Sequence, residues 1–189
     1  MRNSSNSNFL NWIDEQTVSY LKEVNGKNTI VNYNVISKKK TYKDVSKFNK
    51  IHGYSYNTNK SLIAISGSVE NQRDIYLLSA SSNSLRKITD DMYDDIYPEF
   101  FPNSTSIIFS SNRKSIVLDE ESNGIDNEYY NLYVFNLDST ENVIKKITNS
   151  QSNNIKAKAL SKNGIIYLSD RKGIYNLYSY EIGKTHKQV

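Results

Sequence analysis

Short runs of β-branched and aromatic residues, cut by Asn, Ser, Gly and Lys, recur along the whole chain. Amphipathic helical spacing is weak throughout. The first run of each group reads FLNWID, HGYSYN, YPEFFP and KAKALS, and the second reads TVSYLKE, SLIAISG, SIIFSSN and GIIYLSD. The third (TIVNYNV, RDIYLLS, YNLYVFNL, IYNLYSY) centres on a tyrosine. The fourth (TYKDV, LRKIT, IKKIT, THKQV) passes from basic to aliphatic. Tyr33, Tyr76, Tyr133 and Tyr178 are spaced 43, 57 and 45 residues apart, and Val45, Ile88, Ile147 and Val189 are spaced 43, 59 and 42. Two independent anchors thus share one period, and an insertion at roughly 114–128 accounts for the long interval. The pattern predicts an all-β chain of four units, each of four antiparallel strands in about 42–45 residues, the size of a β-propeller blade.

Boundaries follow from the period: a flexible tail over 1–8, blade 1 over 9–48, blade 2 over 49–92, blade 3 over 93–152 with its insertion at 114–128, and blade 4 over 153–189. With two prolines and seven glycines, Asn and Ser carry most of the turns. Asn57-Thr58-Asn59, Pro102-Asn103-Ser104 and Lys162-Asn163-Gly164 are suited to tight reversals, because Asn and Gly tolerate left-handed backbone angles. Pro98 and Pro102 are expected to flank the innermost strand of the third unit, where a missing N–H is least costly. A blade cannot bury both faces alone, so Trp12, Tyr20, Ile63, Ile65, Ile107, Phe109, Ile166, Leu168 and the four repeat tyrosines are expected between blades. Each such burial stabilises by about 1.5–3 kcal/mol.

Composition narrows the classes. The 189 residues hold 15 Tyr, 6 Phe and 1 Trp, too many aromatics for a disordered chain. No apolar run approaches the roughly 18–20 residues that span a bilayer, and the start lacks the apolar core of a signal peptide. With no Cys there are no disulfides, thiolate metal sites or cysteine nucleophiles. The net charge of +4 is scattered, and its one dense run, Lys38 to Lys40, fits a solvated turn, so no nucleic-acid partner is expected.

The third unit carries a family resemblance. DIYPEFFPNSTSIIFSSNR, NLYVFNL and VIKKIT together resemble the repeat of the TolB-like (PD40, WD40-like) β-propellers, through Asp95, Pro98, Phe100, Pro102, Ile107, Phe109, Ser111, Asn112, Arg113, Tyr133, Ile147 and Thr148. The fourth unit matches at Ser169, Asp170, Arg171, Tyr178 and Val189 without the prolines. The second keeps Tyr76, Ile88 and Thr89, and the first matches only by period and strand order. An acidic insertion combined with SDRKGIYNLY looks like the large TolB-like envelope proteins of Bacteroidetes. The resemblance implies a partial ring of a propeller with six or more blades, belonging to a longer protein, periplasmic or envelope-located, whose export signal lies outside this chain. Open blade edges would then favour self-association of the isolated chain.

Candidate chemistry is sparse. Arg113 and Arg171 fall at equivalent positions and are expected to bridge a neighbouring blade or loop, with anion binding as the alternative. Asp90, Asp91, Asp94 and Asp95 cluster in one connection, the weak candidate for a Ca²⁺-type cation, without EF-hand order. Asp119, Glu120, Glu121, Asn123, Gly124 and Asp126 form an acidic Asn-Gly hairpin and a candidate partner loop. No nucleophile elbow, HExxH or phosphate loop is present, and His52 and His186 lie in different units. These features lead to the expectation of a non-catalytic scaffold for protein–protein interaction, without cofactor. The alternatives are the propeller portion of a larger peptidase or hydrolase, or a small-ligand or cation-binding propeller.

Overall fold

The computed structural model describes residues 9–118, 128–141, 143–181 and 183–189. The predicted tail over 1–8 lies outside the described residues. The described strands form four sheets, each antiparallel and each in simple sequence order. Sheet 1 is Leu10–Asp14 (β1), Thr17–Val24 (β2), Lys27–Asn34 (β3) and Lys40–Asp44 (β4); sheet 2 is Lys50–Tyr56 (β5), Leu62–Val69 (β6), Gln72–Ser79 (β7) and Leu85–Lys87 (β8). Sheet 3 is Asp95–Phe100 (β9), Ser106–Ser111 (β10), Asn131–Asn136 (β11) and Lys145–Lys146 (β12). Sheet 4 is Asn154–Ala159 (β13), Gly164–Ser169 (β14), Asn176–Glu181 (β15) and Lys187–Gln188 (β16). The chain divides into two compact units, Met1–Lys50 and Ile51–Val189.

In the first unit, Val24 pairs with Lys27 across a two-residue turn in which Asn25 and Gly26 hold positive φ of 51° and 79°. That geometry matches the right-handed twist of the flanking strands. Leu21, Ile30 and Val31 are buried, while Tyr20 and Tyr33 are only half-buried. Trp12, expected in the core, is 63% exposed. It lies on the edge strand β1 opposite Val18, and the smaller aliphatic residues of β2 and β3 fill the buried positions instead.

The second unit stacks sheets 2, 3 and 4. Ile75, Ile88, Phe109, Leu118, Tyr133, Phe135 and Ile144 form one core cluster, and Phe101, Ile108, Leu132, Ala157, Ile165, Tyr167 and Tyr178 form another. Ile63, Ile65, Ile107 and Phe109 are buried as expected, as are Tyr76, Tyr133 and Tyr178. Each of these tyrosines faces a second-strand partner: Ile65, Phe109 and Tyr167 respectively. Phe109 stacks on Tyr133, and Tyr167 on Tyr178.

In sheet 4 the expected phase is wrong by one residue. Ile165 and Tyr167 are buried, whereas Ile166 and Leu168 are half-buried on the opposite face. GIIYLS offers apolar residues in both phases, and the stacking against Tyr178 selects the one containing Tyr167.

Pro98 also differs from expectation: it sits within β9 rather than beside it. Glu99 pairs with Ile108 and Ile96 with Ser110, so Tyr97 and Pro98 together oppose a single residue in a bulge. Tyr97 holds a positive φ of 56° there. A bulge leaves a backbone N–H without a ladder partner, which is where proline is tolerated inside a strand. Gly53 of β5, at φ 149°, faces this bulge so closely that a Cβ would lie 3.0 Å from Tyr97 Cα. Pro102 occupies the turn after β9, as its sequence context predicts.

Candidate functional site: a buried carboxylate–guanidinium junction

The connection from β8 to β9 brings the aspartate cluster to the junction of sheets 2 and 3. Each carboxylate meets a basic side chain, and Asp91 and Asp95 share one. Asp90 pairs with Lys87, and Asp94 lies 3.0 Å from Arg73 while accepting a hydrogen bond from the Tyr130 hydroxyl at 3.2 Å. Asp95 accepts a 2.7 Å bond from Arg113 Nη2, and Asp91 Oδ2 lies 3.1 Å from the same nitrogen. Among the described residues no group of three or more His, Asp or Glu side chains is arranged to hold a metal ion. The candidate partner loop (Asp119, Glu120, Glu121, Asn123, Gly124, Asp126) lies outside the described residues.

Arg113 follows β10, and its side chain is fully buried. Its Nε donates to Ser111 Oγ at 3.0 Å, its guanidinium lies 5.5 Å from the Tyr93 ring and 5.8 Å from that of Phe109, and its carbonyl accepts from the Tyr133 hydroxyl at 2.6 Å. Burial opposes its charge, but Asp95 and Asp91 outweigh that and hold its pKa above the ordinary arginine value. Burial likewise pushes the Asp95 carboxyl up to about 6, although Arg113 and the hydroxyls of Ser111 and Thr89 favour the ionised form. Tyr130 is pushed up to about 12 by burial and by the neighbouring Asp94 charge.

Sequence reasoning did not single out Asp74 or Lys87. Asp74 of β7 is buried and pairs with Lys87 at 2.9 Å, and burial pushes its carboxyl up to about 6. Lys87 also lies 5.9 Å above the Tyr76 ring, as Lys40 lies above Tyr33 and Lys146 above Tyr133 at 5.6 Å each. This lysine-over-tyrosine arrangement was recoverable from the basic residues of the fourth-strand runs, one strand over from the repeat tyrosine. A groove of about 740 Å³ opens beside the junction, lined by Glu70, Asp74, Lys87, Asp90, Met92 and Asp94 among others.

Arg171 takes the equivalent position in sheet 4 but pairs with no carboxylate among the described residues. It donates to Asn154 Oδ1 at 3.1 Å, the Tyr167 hydroxyl at 2.8 Å and Ser169 Oγ at 3.0 Å, with its guanidinium 4.2 Å from the Tyr178 ring centre. All of these partners belong to its own sheet, so the expected bridge to a neighbouring blade is absent from its hydrogen bonds. His52 bonds Ser68, and His186 bonds Tyr167 and stacks on Tyr180.

No protein-family model matches the sequence, and a comparison with curated proteins returns no match. Solved structures do match. TolB from Acinetobacter baumannii superposes with a TM-score of 0.71 at 14% identity, covering 93% of this chain and 41% of that protein. A TolB-type protein from Agrobacterium tumefaciens gives 0.73 at 17% identity, covering 95% and 60%. The β-propeller domain of the Trilobed protease from Pyrococcus furiosus gives 0.60 at 13% identity, covering 95% and 53%. The fold is therefore that of a TolB-like β-propeller, and the chain spans only about half the length of these structures. Among the described residues no helix is long and apolar enough to cross a membrane.

Proposed function

We propose that this chain is a non-catalytic propeller scaffold that presents its loops and sheet surfaces to a protein partner, in a bacterial cell envelope. The observation that carries the reading is where the charged side chains are placed. Arg113, Asp91 and Asp95, the groups best suited to acid–base or anion chemistry, are closed inside a junction between sheets rather than presented in a cleft. Likeness of fold to TolB supports an envelope setting, and fold alone does not carry activity from one protein to another.

A partly exposed apolar row supports a protein partner. Ile155, Leu168 and Leu177 stand opposite one another across β13, β14 and β15, and Val189, just after β16, donates its N–H to the Leu177 carbonyl. Leu177 is 37% exposed and Val189 72%. Apolar rows of this kind mark protein contact surfaces.

Peptide, ester and phosphoester substrates offered to the purified chain should give turnover at background. Saturable turnover lost on substituting a junction carboxylate would overturn the proposal. Such turnover would favour the second reading, the propeller portion of a peptidase, which the match to the Trilobed protease propeller supports.

A further inference from the structure

At the junction of sheets 2 and 3, three buried carboxylates face two cations. The side chains of Asp74, Asp91 and Asp95 are 2%, 4% and 0% exposed; Arg113 is 0% exposed and Lys87 32%. The other polar groups around them come from every packed element. β7 brings Arg73 and Tyr76; the β8–β9 connection brings Thr89, Asp90, Tyr93 and Asp94; β10 brings Ser111; β11 and its approach bring Tyr133 and Tyr130. Arg73 and Asp94 satisfy each other, and Asp90 reaches Lys87 from the solvent side. One negative charge is left in excess inside. Asp74 Oδ1 has no hydrogen-bond partner among the described residues, and Asp91 accepts from Arg113 Nη2 only through Oδ1, at 3.4 Å, its Oδ2 having no hydrogen-bond partner among the described residues. Buried carboxylates in this position are costly unless they are neutralised.

The next junction supplies an internal control. Asp74-Ile75-Tyr76 corresponds to Asn131-Leu132-Tyr133, and in both the middle N–H donates to a threonine hydroxyl, Thr89 at 2.9 Å or Thr148 at 2.8 Å. Asp95 opposite Ser111 corresponds to Asn154 opposite Ser169, and Asp91 to Ser150. At the junction of sheets 3 and 4 the same three positions are therefore Asn131, Ser150 and Asn154. They bond to one another directly: Asn154 Nδ2 donates to Asn131 Oδ1 and to Ser150 Oγ. The architecture is met by neutral groups, so the acids are not required for it.

We propose that Asp74 and Asp95 hold one exchangeable proton between them, making this junction a latch that tightens when the proton is taken up. Burial favours the protonated form of both Asp74 and Asp95, each raised from 3.8 to about 6. The folded chain then holds more protons than the unfolded chain across that window. Stability therefore increases as pH falls from above 6 towards 4, and is lost as pH rises through 6.

Thermal unfolding and amide exchange at Ile75 and Ile88, followed on the 189-residue chain between about pH 7.5 and 5, test the latch. The wild type should gain roughly 3–6 °C in Tm towards pH 5 relative to Asp74→Asn, with slower exchange at both amides. His52 and His186 are present in both proteins, so the difference cancels their titration. Should Asp74→Asn fail to fold, Asn131→Asp decides. It places a carboxylate at the equivalent position of the other junction and should add a new acid-favoured slope there. Parallel pH profiles for wild type and Asp74→Asn, or an Asn131→Asp profile that follows the wild type, would overturn the proposal.

Discussion

Replacing Arg113 by Gln removes the one guanidinium that faces both Asp91 and Asp95. The side chain is fully buried, and its partners are 4% and 0% exposed, so water cannot take over its role. Breaking a buried pair on one side leaves an uncompensated charge, at a cost of about 3–5 kcal/mol. The Tyr133 hydroxyl bonds to the residue's carbonyl and survives the substitution, so the loss is specific to the side chain. Set against a domain stability of about 5–15 kcal/mol, that is about a third to a half of the margin at the middle of the range.

The loss should also depend on pH. Without its counter-charge Asp95 protonates more readily, so the penalty shrinks towards pH 5. Urea unfolding followed by far-ultraviolet circular dichroism gives the total. Exchange of peptides covering 88–96 and 106–113 places the effect, which Trp12 fluorescence would not do because that residue is exposed in the other unit. Adding Asp95→Asn to Arg113→Gln should restore part of the loss, with a coupling of about 0.5–3 kcal/mol. An Arg113→Gln variant within about 1 kcal/mol of wild type, or strictly additive effects in the double variant, would refute the reasoning.

Four further substitutions test other parts of the fold. Gly53→Ala places a Cβ 3.0 Å from the Tyr97 backbone at a φ that side chains rarely adopt. It should destabilise by about 1–3 kcal/mol in chemical denaturation. Ile165→Ala should cost about 2–5 kcal/mol, and Ile166→Ala clearly less, since only the first is buried against sheet 3; equal losses would contradict the phase assigned to β14. Leu177→Lys should leave the Tm close to that of wild type and reduce any concentration-dependent association seen by analytical ultracentrifugation, because it charges an exposed apolar row without touching the core.

The four-sheet architecture was legible because two independent anchors repeat and the strands alternate with Asn-, Ser- and Gly-rich turns, signals that survive without any tertiary information. Phase within a strand was less secure. In GIIYLSD the alternation Ile166–Leu168 is as apolar as the other phase, although the Ser-x-Arg step aligns Ser169 and Arg171 with Ser111 and Arg113 and so puts Tyr167 at the position of Phe109. Trp12 belongs to a strand of the repeat, but its position on the edge strand β1 decides its exposure, and period alone does not show that. The aspartate run looked like a ligand cluster because sequence shows that carboxylates are close together but not which cations they face. Arg113 lies 18 residues beyond Asp95 and reaches it only through the pairing of β9 with β10. Asp74 carried a faint signal of its own, standing where Asn131 and Asn176 stand in the other units.

That substitution pattern separates architecture from charge. Both junctions dock a strand by the same bond from a backbone N–H to a threonine hydroxyl, and both place an arginine after a serine at the end of the second strand. Arg171 is held by an amide oxygen, two hydroxyls and the face of Tyr178, a set in which no carboxylate is buried. A neutral set of this shape is expected to be at least as stable as a buried ionic one, since it avoids the desolvation of charge. Register specificity does not distinguish the two junctions either, because Asp95 and Asn154 stand opposite equivalent serines in equivalent ladders. What the acids add at the junction of sheets 2 and 3 is a group that changes charge near pH 6, and an amide at the same position cannot do that.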